Sequence, residues 1–200
     1  MQKNDTPLLV RNDILLEQLV LIDGQAGCGK TLFTAIVAAM DRVELLNYSS
    51  ELENICALNY LNKISKDAVE SMIRIQMDLI IYETMMSRRV NIRPGDLSSI
   101  FRDVDVWSYL RRILSKGNED IPSLIKREKP ILHFATHNLL AFSNPIFSSL
   151  GDKVTMIEIV RHPLYMLIQQ TLNQINFDKG MGTARQFHPY IKYGNQQVPF

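Results

Sequence analysis

The most constraining feature of this sequence is a glycine-rich turn that joins a short apolar run to a stretch typical of a helix. Leu19 to Ile22 are apolar, as expected for a strand buried on both faces, and Thr31 to Met40 carry alanines and spaced apolar side chains. The turn matches the pattern G-x-x-x-x-G-K-[ST] over its whole length, with Gly24, Gln25, Ala26, Gly27, Cys28, Gly29, Lys30 and Thr31. The segment therefore predicts a strand, a phosphate-binding loop and a helix.

The residue types of this loop suit an anion. Glycines let the backbone turn its N–H groups toward a phosphate, and the following helix adds its positive end. Lys30 is expected to place a charge on the terminal phosphate, and Thr31 to offer its hydroxyl to phosphate or Mg²⁺. Cys28 is expected to fill space in the loop. Residues 24–31 are therefore a candidate binding site, with Lys30 also a candidate catalytic residue.

Charge and cysteine content narrow the partners and the compartment. The 200 residues include 22 basic and 21 acidic side chains, so no global field recruits nucleic acid or an anionic membrane. No apolar run approaches the roughly 18 residues of a membrane span. Cys28 and Cys56 show neither metal-ligand spacing nor a disulfide framework. We therefore expect a single-domain cytoplasmic protein with no nucleic-acid partner and no membrane span.

The middle of the chain is predicted to be mostly helical. A second strand is expected at Val43 to Asn47, followed by helices over Leu52 to Ile64, Asp67 to Arg89 and Leu97 to Ser115. The second of these helices carries an apolar stripe that we expect to pack in the core, formed by Met72, Ile75, Leu79, Ile80 and Met86.

Two later apolar runs each end in polar residues. Pro130 to Thr136 precede His137, and Val154 to Val160 precede Arg161. Ligands bind at the carboxyl edge of open α/β sheets, so these turns should converge with the glycine-rich loop. The pattern predicts an α/β protein with a three-layer fold like that of P-loop NTPases, a central, mostly parallel sheet and a helical middle segment.

Two side chains within these later runs are expected to take no part in the chemistry. Glu158 is expected inside its strand rather than at its end. His133 is expected to be a hydrogen-bonded core or surface residue, because alternation along the strand puts it on the face opposite Thr136.

Val160-Arg161-His162-Pro163 after an apolar strand resembles the 3′-phosphate-binding motif of sulfotransferases. The stretch KPILHFATHNLLAFSNPIF, with its Thr-His at a strand end, is similar to the family segment that carries the catalytic histidine. The order of the motifs and the spacing from His137 to Arg161 also agree. The resemblance implies a donor, 3′-phosphoadenosine 5′-phosphosulfate, whose phosphosulfate the loop binds. It further implies that His137 is the base and that Arg161 binds the 3′-phosphate.

The sequence departs from the family in three places. Gln169 stands where family members commonly carry a serine that also binds the 3′-phosphate; its amide can still donate a hydrogen bond. The Gly-Lys-Thr ending of the loop is more typical of kinases. A late glycine-, tryptophan- and lysine-containing segment is not found, so we expect a short domain or one incomplete at its C-terminus.

Two alternatives to sulfuryl transfer remain open from the sequence. The first is a P-loop kinase that phosphorylates a nucleotide or small metabolite with Mg·ATP, with a clamp of middle-segment arginines: Arg88, Arg89, Arg93, Arg102, Arg111 and Arg112. The second is a nucleotide-binding module without catalysis. The acceptor in the sulfotransferase case is a glycan, a lipid or a small alcohol.

Overall fold

The apolar runs that end in polar turns form a four-stranded parallel sheet with the spatial order β2-β3-β1-β4. Its strands are β1 Gln18–Asp23, β2 Val43–Tyr48, β3 Ile131–Ala135 and β4 Val154–Glu158. The computed structural model of the protein describes residues 7–115, 120–180 and 189–199. In the last of these ranges an antiparallel hairpin is formed by β5 Tyr190–Tyr193 and β6 Gln196–Pro199.

Helices flank the parallel sheet. Those of the described residues are α1 Lys30–Ala38, α2 Ser50–Tyr60, α3 Lys66–Met85, α4 Val106–Ile113, α5 Ile121–Glu128, α6 Asn144–Leu150 and α7 Pro163–Gly180. The α/β class and the parallel sheet that the sequence predicts are thus confirmed. No helix among the described residues is both long enough and apolar enough to cross a membrane.

The main hydrophobic core lies on one face of the sheet. Leu19 and Leu21 of β1 belong to it together with Ile73 and Met77 of α3, and all four are almost completely buried. Helices α5 and α6 close the same core, whereas α1 packs against β1, β2 and β3 outside this cluster. This packing holds the carboxyl ends of three neighbouring strands, β3, β1 and β4, at a common edge.

The predicted core stripe of α3 is wrong at three of its positions. Met72, Ile75 and Leu79 are about half exposed, and the buried face is instead formed by Val69, Ile73, Met77, Ile80, Ile81 and Met85. Apolar residues occur nearly all round α3, so periodicity alone does not select the buried side. Asp78 helps to select it, because its buried carboxylate accepts the N–H groups of Leu15 and Leu16 and so ties α3 to the segment before β1.

The single helix expected over Leu97 to Ser115 is also wrong. A 3₁₀ turn at Ile100–Arg102 is separated from α4 by an extended residue, Asp103. Asp105 then caps α4, because its carboxylate accepts the N–H of Ser108 at 3.2 Å. The cap begins a new helix, which packs against β2 through the Tyr109 hydroxyl and its 3.0 Å bond to Glu44.

Candidate functional site

The glycine-rich loop leads from β1 into α1, as predicted, and three of its glycines have a positive φ: Gly24 at 137°, Gly27 at 89° and Gly29 at 111°. A Cβ on Gly24 would lie 2.5 Å from the Ile159 carbonyl oxygen, so a side chain there collides with backbone. Gly29 caps α1 without a side-chain bond, which leaves the first N–H groups of the helix facing the loop. The backbone is therefore arranged as an anion-binding turn.

Lys30 is folded over this loop. Its ammonium donates to the Gly24 carbonyl, and only 9% of the residue is exposed. Burial lowers the pKa of Lys30, while nearby acidic groups, among them Asp23 and Glu53, act in the opposite direction. Cys28 is buried in the loop, as its predicted space-filling role requires, and Thr31 is exposed at the start of α1. The loop thus presents one lysine and one accessible hydroxyl.

The start of α7 meets the loop from the β4 side. Arg161 donates to the Gly27 carbonyl at 3.1 Å, and Gln170 donates to the Ala26 carbonyl at 2.9 Å. A Cβ on Gly27 would lie 2.2 Å from Cγ of Gln169, which places that side chain directly against the loop. The structure therefore brings the predicted residues Arg161 and Gln169 to the loop. It adds Gln170, which helical spacing from Pro163 puts on the same side.

The turn after β3 approaches the loop from the other side. Thr136 donates to the buried Asp23 carboxylate at 3.0 Å, and the Leu140 N–H donates to the same carboxylate at 2.8 Å. Burial alone would raise the pKa of Asp23, but these bonds and further backbone N–H groups outweigh it and the pKa is lowered. An ionised Asp23 therefore ties the end of β1 to the turn that carries His137.

His137 is half exposed and is held by Glu53 of α2. The His137 N–H donates to a Glu53 carboxylate oxygen at 2.7 Å, and ring atom Nδ1 lies 3.4 Å from that same oxygen. Sequence reasoning missed Glu53, which is far from His137 in the chain. The nearest available signal was the run Ser49-Ser50-Glu51-Leu52-Glu53 directly after β2, since polar residues at a strand's carboxyl end mark the ligand edge.

Glu158 was expected inside its strand, and this is wrong. It is the last residue of β4 and lies in register with Asp23, the last residue of β1. Burial and the charge of Asp23 raise the pKa of Glu158, and its Oε2 has no hydrogen-bond partner among the described residues. Strand β4 thus ends in an acid beside the loop, although that acid faces another carboxylate.

The hydrogen bonding expected for His133 is wrong, although its burial agrees with the expectation. The residue is completely buried in β3, and neither ring nitrogen has a hydrogen-bond partner among the described residues. Burial lowers its pKa to about 4, so the ring is neutral at physiological pH. His133 therefore lies outside the candidate site, buried in β3 without a polar partner among the described residues.

A cavity of about 820 Å³ lies between the loop, the turn after β3 and the start of α7. Its walls are largely apolar, and its polar groups include Asp23, Glu158, Arg161 and Gln170. This volume is in the range of small-molecule and cofactor sites. The cavity is on the β4 side of the loop, whereas Glu53 and His137 stand on its β2 and β3 side.

Comparisons with models of protein families, with curated proteins and with solved structures found no match to this chain. The fold and the geometry of the site themselves define the structural class of the protein. The chain is an α/β protein with a parallel sheet whose first strand ends in a phosphate-binding-loop pattern, and polar side chains from the two neighbouring strands flank that loop.

Proposed function

We propose that this protein transfers a sulfuryl group from 3′-phosphoadenosine 5′-phosphosulfate to an acceptor hydroxyl. The observation that carries the proposal is the division of groups around the loop. Arg161 and Gln169 contact it from the β4 side, and His137 flanks it from the β3 side. A donor with phosphates at two positions and a reacting group at one end requires such a two-sided site.

The loop from Gly24 to Thr31 binds the 5′-phosphosulfate in this proposal, with the α1 N–H groups and Lys30 as its donors. The acceptor oxygen attacks sulfur and forms a new S–O bond. The bond between sulfur and the bridging oxygen breaks, and its electron pair stays on the 5′-phosphate, where Lys30 stabilises the developing charge. The acceptor proton passes to His137, and the products are a sulfate ester and 3′-phosphoadenosine 5′-phosphate.

Arg161 supplies the selectivity for the donor. Its guanidinium can bind a phosphate through two parallel N–H bonds, in place of the single bond it makes to the Gly27 carbonyl. Gln169 adds an amide N–H donor, which at present is bonded to Asn173 at 3.1 Å. The 820 Å³ cavity beside Arg161 has room for the nucleoside.

A P-loop kinase is the second candidate, and the exposed Thr31 after Lys30 favours it, because a hydroxyl there binds Mg²⁺ in such enzymes. Its proposed arginine clamp is weakened by Arg112, which forms two 2.9 Å bonds to Glu44. Arg89 is likewise paired, with Glu83 at 3.3 Å. The kinase hypothesis is therefore supported chiefly by the Lys30-Thr31 ending of the loop.

Calorimetric titration separates the two candidates. We expect Arg161→Ala to weaken binding of 3′-phosphoadenosine 5′-phosphate by ~1.5–3 kcal/mol, the scale of a charge-assisted hydrogen bond, and to leave the affinity for ADP nearly unchanged. Arg127→Ala, which removes an exposed arginine outside the site, is the matched control. Equal affinity of the wild type for both nucleotides, or equal losses in the variant, would overturn the sulfotransferase proposal.

Mg·ATP turnover would instead support the kinase, and nucleotide binding without any transfer would support a binding module. The sulfotransferase proposal also requires that the acceptor be identified. A panel of glycan, lipid and small alcohol acceptors with labelled donor identifies it.

A further inference from the structure

The side chain that contacts His137 comes from a helix distant in the chain. Glu53 lies in the first turn of α2, and its carboxylate oxygen accepts the His137 N–H at 2.7 Å. The same oxygen lies 3.4 Å from Nδ1 of the ring. One carboxylate thus restrains both the backbone and the side chain of His137.

This contact selects one form of the neutral ring. When Nδ1 carries the proton it donates to Glu53, and the lone pair is then on Nε2, which points away from the carboxylate. In the reverse tautomer the Nδ1 lone pair would face a carboxylate oxygen, which is repulsive. Second partners fix histidine tautomers in this way in other catalytic sites.

Glu53 also acts on the loop side of the site. Its charge is among those that favour the ammonium form of Lys30. The Glu53 carboxylate is only partly exposed, at 23%, so it is screened by water less than a fully exposed group. Glu53 therefore contacts the histidine of the β3 turn and also acts through its charge on the lysine of the loop.

We propose that Glu53 is the positioning residue for His137: it holds the ring with Nδ1 protonated, so that Nε2 is the atom that takes the acceptor proton. This inference rests on the proposed sulfuryl transfer for its consequence, but its geometric part stands apart from any reaction. Glu53 itself touches neither donor nor acceptor in this assignment.

The geometric part is tested by NMR of protein labelled with ¹⁵N in its four histidines. His137→Ala assigns the His137 signals. At pH 8 we expect the wild-type ring to be protonated at Nδ1, and Glu53→Ala to shift the ring toward protonation at Nε2. Glu51→Gln is the matched control, since it removes a charge from the same helical turn and should leave the signals unchanged. A wild-type ring protonated at Nε2, or Glu53→Ala without effect, would overturn the inference.

The functional part is tested by a double-mutant cycle with labelled donor and 2-naphthol as acceptor. We expect Glu53→Ala, which removes the acceptor of both the backbone N–H and the Nδ1 proton, to lower kcat at least tenfold with little change in the KM for the donor, and Glu53→Gln, whose amide oxygen can accept both bonds, to recover part of this loss. In a His137→Ala background Glu53→Ala should cost far less than in the wild type, because its main effect passes through the ring and only the effect of its charge on Lys30 remains. Full additivity of the two losses would overturn the positioning role.

The two arms distinguish the inference from the proposed function. A wild type that shows the Nδ1-protonated ring but transfers nothing to any acceptor would overturn the sulfotransferase proposal and support the Glu53–His137 pairing. A wild type that transfers sulfuryl groups while its His137 ring is protonated at Nε2 would support the sulfotransferase proposal and overturn the positioning role of Glu53.

Discussion

His133 is a completely buried histidine without a hydrogen-bond partner among the described residues, and its titration should govern part of the acid stability of this protein. Burial lowers its pKa from the ordinary 6.5 to about 4. Between these values the unfolded chain binds a proton that the folded chain does not. Stability therefore falls as the pH decreases from 6.5 to 4, by about 1.4 kcal/mol per pH unit and about 3 kcal/mol in total.

The substitution His133→Leu removes this titration and keeps an apolar side chain of similar size. We expect the free energy of unfolding of the variant to equal or exceed that of the wild type at pH 7, since two unpaired ring nitrogens leave the core. The gap should then widen by about 3 kcal/mol as the pH is lowered to 4. All other titrating groups contribute alike to both proteins and cancel in the difference.

The measurement is urea unfolding followed by circular dichroism at half-unit pH steps from 7 to 4. His162→Gln, at an exposed histidine, is the matched control and should follow the wild-type curve throughout. If the free energies of unfolding of the wild type and His133→Leu change in parallel across this pH interval, the reasoning is refuted. That result would mean that the folded protein binds a proton at His133 as readily as the unfolded chain does, because water or an acidic partner stabilises the charged ring.

Three further predictions concern the loop and its surroundings. Lys30→Ala should abolish turnover of labelled donor with an unchanged circular dichroism spectrum, because Lys30 packs over the loop rather than into the hydrophobic core. Lys63→Ala, at an exposed lysine, is the control and should keep the wild-type turnover. A wild-type rate in Lys30→Ala would show that the loop takes no part in the chemistry. His137→Ala should lower turnover by about 10²–10⁴ and leave donor affinity intact; a collapse of affinity in calorimetry would instead make His137 a ligand or a structural residue. Gly24→Ala should lower the free energy of unfolding by about 1–3 kcal/mol, because its Cβ meets the Ile159 carbonyl at a φ of 137°. Gly95→Ala, in open space, should change it by less than about 0.5 kcal/mol, and equal effects of the two substitutions would contradict the collision.

The sequence by itself determined the features that depend only on residues close together in the chain. The glycines, Lys30 and Thr31 carry their geometric requirements in their own side chains or in the lack of one, so the loop was predicted at every position. The strands of the parallel sheet are continuous apolar runs bounded by polar turns, and such runs are readable without knowledge of their neighbours. Because these strands are parallel and their polar ends share one edge, the turn that carries Arg161 could be placed near the loop in advance, whereas Gln169 was predicted only from the resemblance to sulfotransferases.

Tertiary structure alone decided what depends on contacts between distant residues. Apolar side chains lie nearly all round α3, so the buried face was decided by the sheet and by the Asp78 contacts to the segment before β1. Glu53 reaches His137 only because β2 and β3 are neighbours in the sheet and α2 follows β2. His133 and Glu158 are unusual because of what surrounds them, and a strand pattern does not record which polar partners a buried group lacks. Local sequence patterns specify the backbone conformation and the tendency of a residue to be buried. The contacts between residues distant in the chain are specified by the spatial order of the strands in the sheet.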